Sequence, residues 1–414
     1  MNYLFLKLVK KNPLLNLAIL FLCINCTQPA KKVEVTNDDV RTIDIISNIA
    51  NTKKINLSTI ASGIEYCMLE TDDKCLIAYK NIHCSGDYFV SMENYCYVFE
   101  RKTGNFVRQI SDRGQGPDDY QRVLDVLESN KGQICLEGNG QYLFFNLDGT
   151  LLHKIKKFQA NVSFGFVAYN DLYVGGVTNT RGNSTIRIAF LDNKTGELID
   201  SIPNHRSYNR AEGIPRNVST DFFFYTFNNS LHYKDIYCDT LYQIKDFSLQ
   251  SRYIFDTGDR TVPYALQVEG RIDVRAAMRG RDYDRYARYI VINQTHESAK
   301  FLYFTFDYRV MLYPAIYDKV ENTLQIMSPV SKPPPPFITP YPLYGFENDL
   351  DGGLPFWPQQ MVSDKEMMCV YSAEELLALD VTKITDEKLK YVLNSLEIDS
   401  NPVVAIVTLK DLGI

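Results

Sequence analysis

The chain has 414 residues, 45% of them apolar and 23% charged, the composition of a globular protein with room for one large domain or two ordinary ones. Its formal net charge of −6 leaves no basic footprint, which excludes nucleic acid as a partner. Aromatic residues reach 13%, with 28 Tyr and 23 Phe, and they fall in short runs such as Tyr88–Met92 and Phe301–Phe306, the mark of strands rather than helices.

The first 25 residues read as an address rather than as structure. Lys7, Lys10 and Lys11 form a positive start, and Leu14–Ile24 is an apolar run of 11 residues, too short to span a bilayer comfortably. The run ends in Cys23-Ile24-Asn25-Cys26, and small or polar residues before a cysteine at this place resemble a bacterial lipobox. On that resemblance residues 1–25 are a lipoprotein signal peptide and Cys26 becomes the lipid-bearing first residue. The usual pattern has Leu three positions before the cysteine and a small residue directly before it, where this chain has Cys23 and Asn25. Secretion without a lipid is the alternative reading, and bulky Leu22 disfavours Cys23 as the modified residue.

Residues 26–54 form a linker and N-terminal segment, and 55–414 read as a single domain. Three stretches in it spell the same hairpin: Tyr97–Ile110, Leu143–Ile155 and Arg187–Ile202. Each turn is closed by a glycine (Gly104, Gly149, Gly196), with an Ile six positions later. The glycines lie 45 and 47 residues apart, the interval of a four-stranded propeller blade. Blades are expected over about 76–110, 123–155, 162–202 and 222–255, the fourth without its glycine. A fifth holds 300–306 and 310–326.

Between the fourth and fifth, residues 262–292 are too long for a simple connection and read as a helical insertion. A polyproline spacer at 332–336 excludes helix and central strand. Ser372-Ala-Glu-Glu and Thr385-Asp-Glu-Lys then start one or two helices, and Pro402–Lys410 is a last strand. A ring must cover the edges of its first and last blades, and Ile64–Leu69 is the natural partner of that strand. Five visible blades and one shared closing blade predict an all-β, six-bladed propeller of four-stranded antiparallel sheets.

Three ordered motifs then carry a resemblance. Ile64–Thr71 (IEYCMLET), Arg113–Tyr120 (RGQGPDDY) and Asn348–Pro358 (NDLDGGLPFWP) resemble the opening, inter-blade and late signatures of the six-bladed β-propeller lipoproteins of Bacteroides-type bacteria. Ser111 stands where that family has a first glycine, and Asp119 where it has glutamate. The likeness spans about residues 55–410. It implies a propeller related in shape to the NHL type, secreted across the inner membrane and held in the cell envelope by its lipid alone. It implies no particular activity.

Candidate sites are few. Arg113, Gly114, Gly116 and Pro117 have the glycines of a phosphate cradle, but not its preceding strand, following helix or Lys-Ser/Thr end. An inter-blade turn is the better reading, with Gly114 and Gly116 supplying positive φ and Tyr120 packing or hydrogen-bonding near the channel. Asp349, Asp351 and Gly352 match the first half of a calcium loop whose twelfth position is Pro358, so an Asx turn competes with a cation site. In the insertion, Arg281, Tyr283 and Arg285 suit an anionic sugar or a peptide carboxylate, although interleaved aspartates equally suit a self-paired, solvated face.

The seven cysteines after Cys26 (67, 75, 84, 96, 135, 238 and 369) are odd in number and irregularly spaced, so most read as small core residues. No metal-ligand spacing and no nucleophile elbow occurs, and no catalytic residue, metal or cofactor is assigned. Two function classes follow: a binding or scaffold module for a glycan, a peptide or an envelope protein, or a propeller lyase or hydrolase with its site at the channel mouth. The interruptions at 262–292 and 333–358 are the first places to look for function.

Overall fold

The computed structural model describes residues 40–127, 132–157, 166–178, 184–205, 222–263, 287–309, 311–331, 343–384 and 386–411. The signal peptide, Cys26, the insertion residues Arg281, Tyr283 and Arg285, and the spacer 332–336 lie outside the described residues.

Three strands lead the chain: β1 (Arg41–Asp44), β2 (Thr52–Lys53) and β3 (Ala61–Met68). Blade one is β4 (Ile82–Ser85), β5 (Tyr88–Ser91), β6 (Tyr97–Glu100) and β7 (Phe106–Gln109). Blade two is β8 (Arg122–Leu127), β9 (Gln133–Glu137), β10 (Gln141–Asn146) and β11 (Leu151–Lys156). Blade three is β12 (Phe166–Tyr169), β13 (Leu172–Gly176), β14 (Ile186–Asp192) and β15 (Leu198–Pro203). Blade four is β16 (Phe222–Phe227), β17 (Ser230–Asp235), β18 (Thr240–Lys245) and β19 (Ser248–Asp256). Blade five is β20 (Val291–Glu297), β21 (Phe301–Tyr308), β22 (Met311–Asp318) and β23 (Thr323–Met327), with the short β24 (Val330–Ser331) beside β22. Blade six is β25 (Gln360–Ser363), β26 (Glu366–Tyr371), β27 (Val403–Leu409) and, as its outer strand, β3. Two helices, α1 (Ala373–Leu377) and α2 (Glu387–Ser395), lie between β26 and β27.

Six four-stranded antiparallel sheets in a ring make a six-bladed β-propeller, as the repeat spacing predicts. The ring closes where expected, with Met68 opposite Val403 and Ile64 opposite Val407. Two boundaries differ. The first strand of blade one starts at Ile82 rather than near 76. The innermost strand of blade five starts at Val291, inside the stretch assigned to the insertion. Thr261 and Ile290 pair as a parallel bridge, so the excursion leaves and rejoins the blade at one point.

The repeated residues have a packing reason. Gly104, Gly149 and Gly196 all take left-handed φ, at 76°, 86° and 71°. Blade four lost its glycine but not its turn: Asp246 and Phe247 adopt φ of 48° and 56°, the paired left-handed residues of a type I′ hairpin. The Phe247 ring meets Phe190 of blade three edge-on at 5.0 Å, a contact that offsets part of the strain. Ile110 packs among blade-two residues such as Ile134 and Leu143, and Ile155 against Phe166 and Tyr173 of blade three. Each repeat isoleucine is thus a wedge driven toward the following blade, worth about 1.5–3 kcal/mol if fully buried.

Before closing the ring, the N-terminal segment edges two other blades. β1 adds in parallel to β19 of blade four, and β2 in parallel to β23 of blade five. Outer edges that would otherwise offer unpaired backbone groups are covered in sequence.

At the seam, the Glu70 N–H donates to the Gly104 carbonyl at 2.9 Å. A Cβ on Gly104 would stand 1.9 Å from the Met68 carbonyl oxygen. Gly104→Ala is therefore expected to cost about 3 kcal/mol, of which left-handed strain supplies about 1–2 kcal/mol. Urea unfolding measures it, and a loss below about 1 kcal/mol would show that the seam yields freely.

Between blades four and five, the Glu297 side chain is fully buried. It accepts from Tyr225 Oη at 2.9 Å, Arg252 Nη2 at 2.7 Å, Tyr253 Oη at 3.2 Å and Lys319 Nζ at 2.8 Å. His232, fully buried, stacks on Tyr225 at 4.7 Å and touches Arg252. Burial, reinforced by the Arg252 charge, pushes its pKa down to about 3. Burial also takes His296 down to about 4; that residue is half-buried as a whole, but its Nε2 is sealed from solvent.

Both imidazoles stay neutral when folded and take a proton near pH 6.5 when unfolded. Stability is therefore complete above pH 6.5 and is lost as pH falls toward 4 and 3. From pH 7 to pH 5 each should cost about 2 kcal/mol. The urea midpoint should drop accordingly, and His296→Gln should remove about half of the drop. A midpoint that ignores pH over this range would contradict the assignment.

Candidate functional site

A polar and aromatic pocket lies where blades five, six and one meet. The strand register fixes its place. Val291 opposes Asp307, and Asp307 opposes Leu312, so all three mark the end of blade five at which its innermost strand begins. Asp307 and Leu312 line a cavity of about 380 Å³ there, within the ~300–1,000 Å³ of ordinary small-molecule sites.

A β-bulge supplies its amides. In β20, Ile292 pairs with Phe306 and Thr295 with Phe304, so Asn293 and Gln294 together face the single residue Thr305. Such a bulge re-aims side chains, and all three of these residues line the cavity. Gln294 Nε2 donates to the Gln359 carbonyl at 3.1 Å, which gathers the amide of Gln359, also in the lining, beside the bulge.

The segment before blade six supplies the rings. Phe346 and Phe356 exchange backbone hydrogen bonds at 2.8 and 3.0 Å and close residues 346–356, the centre of the 343–357 segment, into a loop. Tyr344 and Trp357 project from it into the wall, with ring centroids 6.1 Å apart. Trp357 stacks on Phe346 at 6.0 Å and is 4% exposed. Its indole N–H is buried and finds no acceptor among the described residues. A buried donor left unmet costs about 1–3 kcal/mol, and among the described residues nothing offsets that cost for this indole.

The cation of the lining is already committed. Lys80 Nζ lies 2.6 and 2.8 Å from the two Glu375 oxygens. Glu375 also completes the capping box of α1, accepting from the Ser372 N–H at 2.8 Å. Cys369, the lining thiol, is held inert because burial pushes its pKa up to about 11. A larger cleft of about 560 Å³ sits at the blade-six and blade-one seam. Its Arg101 is paired with Glu366 at 2.8 Å, Glu65 and Asp87 are exposed as solvated charges are, and half-buried Glu100 accepts from the Thr103 hydroxyl at 2.6 Å.

The residues singled out in the sequence fall elsewhere. Arg113, Gly114, Gly116, Pro117 and Tyr120 form the turn from blade one to blade two. Gly114 N–H donates to the Tyr120 carbonyl at 3.0 Å and Gly116 N–H to the Asp119 carboxylate at 2.7 Å, so the donors a phosphate needs are spent internally. The expected positive φ is not found at either glycine, and Ser111 takes it instead, at 56°. What Gly114 and Gly116 provide is space. A Cβ on either would lie 2.3 or 2.7 Å from an Asp119 carboxylate oxygen. Tyr120 is fully buried and accepts from the Cys96 N–H at 3.1 Å.

Asp349 accepts from the Ser58 N–H at 2.9 Å and from its hydroxyl at 2.5 Å, pinning the N-terminal segment to the 343–357 loop. Asp351 accepts from the Gly353 N–H at 2.8 Å, and burial raises its pKa. Both carboxylates thus serve as turn acceptors. Among the described residues no group of three or more His, Cys, Asp or Glu is placed to hold a metal, and no disulfide joins two of the seven described cysteines. Sequence reasoning pointed to the 333–358 interruption but not to Trp357, and it missed Lys80, Asn293, Gln294 and Asp307.

Comparison with solved structures agrees on the fold. The chain is similar to a protein of Bacteroides fragilis assigned as exported, with a TM-score of 0.64 and 16% identity over 90% of this chain and 100% of that one. It also matches a member of the DUF4221 family from Bacteroides vulgatus, with a TM-score of 0.48 and 10% identity over 84% of this chain and 97% of that one. A search of curated proteins finds no match. Matched along residues 40–408, the chain belongs to the family described as "Domain of unknown function (DUF4934)".

Proposed function

We propose that the protein is an exported, envelope-anchored propeller that acts as a binding or scaffold module for a glycan, a peptide or a partner protein. The observation that carries this is the pocket at blades five, six and one: a built cavity with a bulge aimed into it, clustered amides, and a buried indole N–H left without an acceptor among the described residues. The pocket's described lining offers one carboxylate, Asp307, and an amine already neutralised by Glu375. With Lys80 committed to Glu375 and the Cys369 pKa pushed up to about 11 by burial, the described lining favours holding a ligand over cleaving one. Export is supported by the N-terminal address and by the likeness to an exported Bacteroides protein.

A glycan and peptide array probed with the full chain and with a Gln294→Ala/Gln359→Ala variant tests the pocket. Binding by the parent that is at least tenfold weaker in the variant is the expected result; equal binding by both would remove the pocket from the function. The anchor is tested separately. Cys26→Ala should abolish palmitate labelling and move the protein out of the membrane fraction, and unchanged labelling would refute Cys26 as the lipid site.

A further inference from the structure

Six of the thirteen large apolar side chains that stand exposed among the described residues fall in two segments, 69–81 and 372–402. They are Leu76, Tyr79, Leu377, Val381, Tyr391 and Ile398; the other seven are spread over blades one to five, as scattered surface apolar groups ordinarily are. The register puts both segments at one end of blade six. β26 ends at Tyr371, β27 begins at Val403 and β3 ends at Met68, and these three residues oppose one another across the sheet. The segment 372–402 therefore leaves and rejoins the blade where 69–81 departs. Asn401, 2% exposed, ties the two together. Its Oδ1 accepts from the Ile77 N–H at 2.8 Å, and its Nδ2 donates to the Glu70 and Cys75 carbonyls at 2.6 and 2.9 Å. Lys80 and Glu375 add the ion pair already described. The fold does not cover the exposed groups: α2 buries Leu389, Val392 and Leu393, and Tyr391 points the opposite way, 66% exposed. Apolar groups gathered on one tied surface mark an interface, and tyrosines are favoured anchors of one.

Charge chooses the occupant. The two segments hold ten acidic residues and five lysines. Three of those lysines already face a carboxylate: Lys80 at 2.6 Å from Glu375, Lys390 at 2.8 Å from Glu387 and Lys388 at 3.9 Å from Glu65. The acids stand among the apolar positions. Exposed Glu397 and Asp399 flank Ile398, and exposed Asp73 and Glu374 precede Leu76 and Leu377 by three residues. A second copy of the chain would bring the same excess, and an anionic bilayer would be repelled in the same way. We infer that this end of blade six docks a basic polypeptide, with apolar side chains of the partner seated on Tyr391, Ile398 and their neighbours and its lysines or arginines on the surrounding carboxylates. The inference rests on the binding or scaffold reading and names the kind of partner; it does not draw on the pocket's ligand.

The probe is a fluorescein-labelled amphipathic peptide of lysine and leucine, compared with its glutamate–leucine counterpart and with a lysine–serine peptide of equal charge. Its anisotropy is read as the full chain is added. A saturable rise with the lysine–leucine peptide is expected, at least tenfold weaker with either other peptide, and at least tenfold weaker in Tyr391→Ser/Ile398→Ser. Leu198→Ser/Ile199→Ser, at exposed positions of blade three, should leave the affinity within twofold of the parent. Circular dichroism melting checks that each variant folds. Should the first not fold, Glu397→Lys/Asp399→Lys replaces it with the same expectation. If the blade-three variant loses as much as the first, or the lysine–serine peptide binds as well as the lysine–leucine one, the contact is non-specific and the docking surface is overturned. Binding of phosphatidylglycerol or phosphatidylcholine vesicles that Tyr391→Ser/Ile398→Ser abolishes would give the surface to lipid and overturn the basic partner. A dimer in sedimentation equilibrium that the same variant dissolves would give it to a second copy, with the same consequence. If no peptide binds, the docking surface fails, while the array with the Gln294→Ala/Gln359→Ala variant still decides the pocket on its own.

Discussion

Deleting residues 403–414 is expected to leave a chain that does not fold. The deletion removes β27, which pairs with β26 on one side and with β3 on the other, so blade six loses its two ladders to that strand at once. Val403, Val404 and Val407 are all fully buried in β27. Burial of three such side chains contributes about 5–9 kcal/mol, which is the size of the whole ~5–15 kcal/mol that separates folded from unfolded domains. The ring has no second way to close, because β3 has no other partner strand among the described residues. The truncated protein should show no cooperative thermal transition by circular dichroism and should bind a hydrophobic dye. A cooperative melt within a few degrees of the parent would show that the ring tolerates an open blade.

Glu297→Ala is expected to cost about 3–5 kcal/mol, the range for breaking a buried charged cluster by removing one partner. The carboxylate answers two cations, Arg252 and Lys319, and two phenols, Tyr225 and Tyr253. Lys319 shows the balance already. Burial lowers its pKa, and the attraction of Glu297 is what opposes that fall. Without Glu297, Arg252 and Lys319 face each other across a cavity with no counter-charge. Glu297→Gln keeps the shape and some hydrogen bonds but not the charge, and should fall between parent and Ala. The urea midpoints of the three proteins, at unchanged slope, give the comparison. An Ala variant within about 1 kcal/mol of the parent would mean that the cluster is held together by packing alone.

The blade architecture was legible because blades one to three solve one local problem in the same way. A tight turn between the last two strands of a blade needs left-handed residues, which writes a glycine into the sequence, and the following strand must wedge into the next blade, which writes an isoleucine six positions on. Where the local problem is solved differently, as by Asp246 and Phe247, the glycine vanishes while the turn persists. Gly114 and Gly116 show the limit of that reasoning. A glycine answers either a demand of φ or a demand of space, and the Asp119 carboxylate that makes it space is visible only after folding. The pocket was still less legible. The bulge that aims Asn293 and Gln294 is a property of their register against β21, not of their own identities. Lys80 and Glu375, which settle the charge of the lining, stand 295 residues apart. The 343–357 loop could be picked out as an interruption of rhythm, but what Trp357 faces is decided by two other blades.

The edging strands have a temporal consequence. A ribosome delivers β1, β2 and β3 first, yet β1 needs Tyr253–Asp256, β2 needs Ile326–Met327, and β3 needs Val403–Leu409. The earliest strands made are the latest to be housed, and the long sequence separations predict slow completion. Through most of synthesis the nascent chain therefore carries unpaired strands at its front, open to holdase capture, and assembly can finish only when the final strand is released.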